Sequence, residues 1–191
     1  MPETPQQLYD RVADHLRVPP VHEWDSWPFE GELQPRRLRP PEPEPRIEGQ
    51  DGVDCPACTK PDSEYAWSND RWRLLTLGPS GLPIIVLLEP REHYAGPADL
   101  PEDLAREQGV MLGLVERAVL SVGQIGKVHI GRWGEGAEHL HWWFIGRPAG
   151  MGQLRSSMAE IWDEVLPPTP KEIFEDNLAR VVRYLEEHAQ G

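Results

Sequence analysis

The chain has 191 residues and a formal net charge of −13, long enough for one domain with a sizeable core and arms at either end. A surface of that sign repels polyanions, which argues against a nucleic-acid polymer as partner and leaves a small nucleotide in a locally positive pocket as an allowed ligand. No apolar run approaches the roughly 20 residues of a membrane span, and Met1-Pro2-Glu3-Thr4-Pro5 lacks the basic start and apolar stretch of a signal peptide, so a cytoplasmic protein with no membrane segment is expected.

In chain order, Thr4-Pro5-Gln6-Gln7 reads as a capping box, and Leu8, Val12 and Leu16 keep helical spacing until Pro19-Pro20. From Val21 to about Gly52 prolines crowd an aperiodic stretch, read as an extended arm; its Trp24, Trp27 and Phe29 suit packing on the domain or a partner, or a flap over a ligand. Arg71 to Leu77 and Leu82 to Leu88 read as two strands joined at Gly78-Pro79-Ser80-Gly81, a hairpin. Asp99, with Glu102 three residues on, is expected to cap a helix whose apolar face is Leu104, Met111, Val115, Ala118, Val119 and Val122, ended by Gly123. Lys127 to Arg132 reads as a strand.

A glycine turn then leads to Glu138-His139-Leu140-His141-Trp142-Trp143-Phe144. Alternation along a strand puts His139, His141 and Trp143 on one face and Leu140, Trp142 and Phe144 on the other, with Trp142 toward the core and the Cβ atoms of the two histidines roughly 7 Å apart. After Pro148 one helix carries Leu154, Met158, Ile161 and Val165; Thr169-Pro170-Lys171-Glu172 then opens a C-terminal helix striped by Phe174, Leu178, Val181 and Leu185. The sum is α+β: a mainly antiparallel sheet with helices on one face. The expected division is an N-terminal helix and arm over residues 1–53, a domain over 54–150 and a helical extension over 151–191.

The only two cysteines form Cys55-Pro-Ala-Cys58, and in a reducing compartment that pair points to metal binding or redox work rather than a structural bond. A dithiol of the thioredoxin kind follows a buried strand and opens a helix, whereas Cys55 follows an arm. Zinc asks for four ligands, two of which such a turn supplies; His93 and His139, at the ends of two expected strands, could bring the rest.

Taken together, Cys55-x-x-Cys58, the strand followed by Pro90-x-x-His93, the amphipathic helix, the strand-turn-strand and His139-x-His141 leading into Phe144-Ile145-Gly146-Arg147 resemble the histidine-triad (HIT) superfamily, over roughly Asp54 to Pro148. The resemblance implies a HIT-like fold, structural zinc on Cys55, Cys58, His93 and His139 as in the zinc-carrying and galactose-1-phosphate uridylyltransferase-like branches, and His141 as the nucleophile. It implies a nucleotide hydrolase or nucleotidyltransferase that attacks an α-phosphate to form a covalent nucleotidyl-histidine, and a homodimer. Arg132, Arg147, Gly136 and its neighbours are the candidate phosphate donors, with Trp143 lining the substrate pocket.

One departure stands out. The third triad histidine falls on Trp143, which donates a hydrogen bond and accepts none. That change leaves a second reading, a zinc-stabilised HIT-fold protein that binds a nucleotide or a protein partner without chemistry. Glu135 and Glu138, where the family places small polar residues, are expected to repel a phosphate. His129 is either site-facing or a satisfied half-buried histidine, and Tyr65 and Trp67 either wall a base pocket or pack in the core. His15, His22 and His188 are expected to be solvated.

Overall fold

A computed structural model describes residues 3–189 of the chain, which divide into two compact units, Met1–Arg46 and Ile47–Gly191. In the first, helix α1 (Pro5–Val12) starts from Thr4 with both halves of the capping box made: Thr4 Oγ1 accepts from the Gln7 amide and the Gln7 side chain accepts from the Thr4 amide. It stops at Val12, a turn short of the expected end at Leu16. None of its side chains is buried, so nothing holds a further turn in place. Residues 32–47 carry neither helix nor strand, as the prolines dictate, and the Trp27 and Phe29 rings meet edge to face at 5.5 Å.

The second unit holds the short helix α2 (Pro56–Thr59), strands β1 (Trp67–Ser68), β2 (Trp72–Leu75) and β3 (Ile84–Pro90), helix α3 (Glu102–Leu120), strands β4 (Ile125–Gly131) and β5 (Trp142–Pro148), and helices α4 (Met158–Val165) and α5 (Lys171–His188). The five strands form one antiparallel sheet in the order β1-β2-β3-β5-β4, the α+β architecture expected from the sequence. Every residue of β3, the central strand, is buried.

Alternation assigns the faces. Trp72, Leu74, Ile84, Val86, Leu88 and Phe144 pack beneath α3 and α5, with Leu114, Val115, Val119, Phe174, Val181 and Leu185 closing the main core. The other face carries Ile85, Ile145 and the partly buried Trp143, over which Leu154, Ala159 and Trp162 form a second, smaller cluster at the α4 end. Beyond α4 that face is free to carry a site.

Two expected caps are replaced by prolines. Asp99 lies in a short 3₁₀ turn and α3 starts after Pro101. Thr169 spends its hydroxyl on the Leu82 carbonyl, 3.1 Å away, and α5 starts after Pro170. In both places the proline fixes φ and removes an amide that would otherwise need a partner.

Candidate metal centre and active face

Antiparallel pairing of β3 with β5, Leu88 opposite Trp142, brings the chain leaving β3 alongside the chain approaching β5. His93 and His139 therefore arrive at the same end of the sheet. β5 begins at Trp142, so His139 and His141 sit just ahead of the ladder rather than within it; Leu140, fully buried, holds this approach by donating its amide to the Tyr94 carbonyl at 2.7 Å.

Cys55, Cys58, His93 and His139 each offer one ligand atom, and these four atoms lie within 4.8 Å of one another. The hydrogen-bonding pattern shows which nitrogens are free. His139 Nε2 donates to the Pro90 carbonyl at 2.9 Å, leaving Nδ1 to face Cys55 Sγ at 3.4 Å and Cys58 Sγ at 3.6 Å. His93 Nε2 sits 3.3 Å from a carboxylate oxygen of Glu138, while its Nδ1 is buried without a hydrogen-bond partner. Two imidazoles and two thiols, with Cys55 and His139 buried, His93 half-buried and Cys58 exposed, are the donor set of a soft divalent metal, and the orphaned His93 Nδ1 is a polar atom such a metal satisfies.

The electrostatics agree. Burial, the largest influence, holds His139 below the ordinary histidine range and hence neutral. Burial and then the adjacent Cys55 push the Cys58 thiol up to about 11; two thiols this close resist joint ionisation until a cation takes both. Cys55 and Cys58 are free thiols.

Three supports of this corner were not assigned in the sequence. Glu138, expected only to repel phosphate, instead lies 3.3 Å from His93 Nε2 and accepts the Asp51 amide at 2.6 Å, the place a carboxylate takes behind an imidazole when that imidazole holds a metal. Arg73, buried on β2, donates to the Ala57 carbonyl between the two cysteines at 2.8 Å and lies 4.8 Å over the Tyr65 ring. Tyr65 in turn donates to buried Glu89. Gly49, at φ +70°, lets the chain pass so close to Cys55 that an added Cβ would sit 3.2 Å from its Cβ and Sγ. An arginine in the apolar run Trp72-Arg73-Leu74-Leu75 was the one signal in the sequence.

His141 stands beside the corner. Its Nδ1 lies 2.8 Å from the His139 carbonyl and its Nε2 lies 3.0 Å from the Trp133 carbonyl. A neutral imidazole has one N–H and satisfies one of these oxygens; only an imidazolium donates to both. With Nδ1 donating, Nε2 carries the lone pair. A cleft of about 260 Å³ opens here between Tyr65, Lys60, Leu75, Leu77, Leu87, Glu89, His139 and His141, so Tyr65 lines it, while Trp67 packs in the main core.

The other expected binding residues are placed as follows. Trp143 neighbours both His141, ring centroids 6.3 Å apart, and Trp133, 6.1 Å apart, with its indole N–H buried and unpartnered. Trp142 packs against the main core and donates to Gln108 at 3.0 Å. Gly136 lies in the loop before the histidines, its carbonyl accepting from Glu48. Arg132 donates to the Ala95 carbonyl at 2.6 Å. Arg147 is six residues beyond His141, at the other end of β5, and donates to the Pro148 carbonyl at 2.9 Å; the structure does not bring it to the histidines. His129 is half-buried, with Nε2 unpartnered. His188 stacks on Tyr184 at 4.1 Å; the His22 side chain lies outside the described residues.

No family model matches the sequence, and no curated protein does. Solved structures do match the fold. A histidine triad protein from Bradyrhizobium japonicum superposes with a TM-score of 0.53 at 18% identity, over 63% of this chain and 88% of that one. A hypothetical histidine triad nucleotide-binding protein from Sulfolobus tokodaii does so at 0.52 and 16%, over 70% and 93%. A uridylyltransferase mutant reaches 0.50 and 19%, over 73% of this chain and 49% of that one. The five-stranded antiparallel sheet, with its histidines at the mouth of the strand beside the central one, is a histidine-triad-like fold.

Proposed function

We propose that this protein acts on nucleotides at the α-phosphate, as a hydrolase or nucleotidyltransferase, with His141 as the nucleophile and a structural zinc on Cys55, Cys58, His93 and His139. The observation that carries the reading is His141 itself: the residue lines the cleft, and with Nδ1 anchored 2.8 Å from the His139 carbonyl, Nε2 is the nitrogen left for attack. Among proteins that share the fold, one is described as nucleotide-binding and another as a uridylyltransferase.

In this reading His141 Nε2 attacks phosphorus, the leaving group departs, and water or a second substrate takes the nucleotidyl group from the histidine. A zinc bound by Cys55, Cys58, His93 and His139 would supply rigidity rather than Lewis acidity. The His139 carbonyl fixes the ring of His141 two residues on. Trp143 offers no titrating proton, so the leaving group takes its proton from water or departs as a stable anion.

A second reading, a zinc-stabilised nucleotide- or protein-binding protein without chemistry, is favoured by the Trp133 carbonyl on His141 Nε2. Steady-state turnover of nucleoside phosphoramidates, dinucleoside polyphosphates and nucleotide sugars separates the two. The catalytic reading expects at least one substrate to turn over, with His141→Ala slower by roughly 10⁴-fold or more and nucleotide still bound. Equal turnover by both proteins removes His141 from the mechanism; saturable binding with no turnover of any of these compounds establishes the second reading.

A further inference from the structure

The sheet face that carries His141 has a second cavity, of about 240 Å³, on the far side of Trp143. Its floor is apolar, from Ile85 and Ile145. Trp133 and Trp143 form a corner, their planes 84° apart and centroids 6.1 Å apart. The remaining wall is α4, which presents Glu160, Asp163 and Glu164, spaced three and four residues apart and hence on one helix face. Among the described residues no lysine, arginine or histidine lines it.

We propose that this cavity is a binding site for a small organic ammonium ion, such as an alkylated amine. A metal ion or an anion fits the site poorly. Hydrated inorganic cations gain little from indole walls and an Ile85–Ile145 floor, and anions meet three carboxylates. An ammonium ion carrying alkyl groups uses both halves at once: the indoles take the cation through their π-faces and the alkyl groups through contact, while the carboxylates supply the countercharge. Asp163 is held in place by the Leu82 amide, 2.8 Å from one carboxylate oxygen. Burial raises the Glu160 carboxyl above its ordinary range, a cost that a cation in the cavity offsets. The site is built on strands β3 and β5 and helix α4, with the exposed Trp133 side chain as its remaining wall. Trp133 is also the residue whose carbonyl meets His141, but His141 itself does not line the cavity.

The test is titration with choline and with 3,3-dimethylbutan-1-ol, its uncharged isostere, at low ionic strength, followed by the proton shift of the ligand methyl groups and by calorimetry. Choline is expected to bind with a Kd on the order of 1 mM and its methyl protons to move upfield over the indoles, with the alcohol at least roughly tenfold weaker. The Glu160→Gln/Glu164→Gln double variant and the Trp133→Ala variant, both altering partly exposed side chains, are each expected to weaken choline roughly tenfold while melting like the parent. His141→Ala is expected to leave choline binding unchanged, which keeps this site separable from the catalytic proposal. Equal binding of the alcohol, no saturable choline response at about ten times that Kd, or choline binding untouched by both cavity variants overturns the assignment.

Discussion

At the scale of single residues, the candidate metal corner is four polar atoms that face one another. His93 Nδ1 is buried and unpaired, and Cys58 is a thiol pushed up to about 11 by burial and by Cys55. Binding of a structural zinc is worth on the order of 10 kcal/mol, so Cys58→Ser is expected to lose the metal and most of the melting cooperativity. Equal Tm and zinc content in the two proteins, by calorimetry and elemental analysis, would exclude the site. Burial holds His139 below its ordinary 6.5, and His129 likewise, with Arg147 and Lys127 adding to the latter. The unfolded chain therefore binds protons that the folded chain does not. The stability these groups allow is complete above the unfolded value and is lost as the pH falls through it toward the lower folded values. Melting temperature should be level above about pH 7 and decline between about 6.5 and 5, with protonation of the ligating imidazole acting in the same direction. A Tm that rises on acidification over that window contradicts the assignment.

Among the elements, the cysteine loop is held from two sides, by the close pass of Gly49 and by Arg73 reaching from β2 to the Ala57 carbonyl. Gly49→Ala meets both a left-handed φ and the Cys55 side chain, so a loss of about 1 kcal/mol or more is expected, with faster release of zinc to a chelator. Arg73→Met keeps the stem but removes the donor, and should also speed zinc release while leaving the sheet's far-ultraviolet dichroism intact; an unchanged release rate in both variants would mean the loop is held by the metal alone. These two supports show where reading the sequence ends. The four side chains that cluster at this corner are legible because cysteine and histidine carry their chemistry in their names, and the core stripes because periodicity survives in any fold. The Trp133 carbonyl at His141 is backbone, identical in every residue. Glu138 reads as a repulsive charge until the fold puts it behind His93. The helix caps at Asp99 and Thr169 failed because neighbouring prolines and a tertiary carbonyl competed for the same positions.

For the whole molecule, the sheet separates stability from chemistry. One face is buried under α3 and α5; the other carries the cleft at His141, the Trp143 partition and the α4 cavity. Pairing of β3 with β5 brings the Cys55–Cys58–His93–His139 corner and His141 to one end of the sheet, so in the proposed reading a metal held there would act on His141 through two residues of backbone. Among the described residues no helix is long and apolar enough to cross a membrane. The N-terminal unit, with its edge-to-face Trp27 and Phe29, and the dimer implied by the resemblance are open to the same experiment, because native mass reports assembly as well as ligands.

That measurement is intact-protein mass spectrometry under native, acid-free conditions after exposure to nucleoside phosphoramidates, dinucleoside polyphosphates and nucleotide sugars. The expected spectrum shows one zinc per chain and a nucleotidyl adduct that is absent from His141→Ala. Zinc with no adduct from any of these substrates, or an adduct that persists in His141→Ala, contradicts covalent catalysis by this histidine.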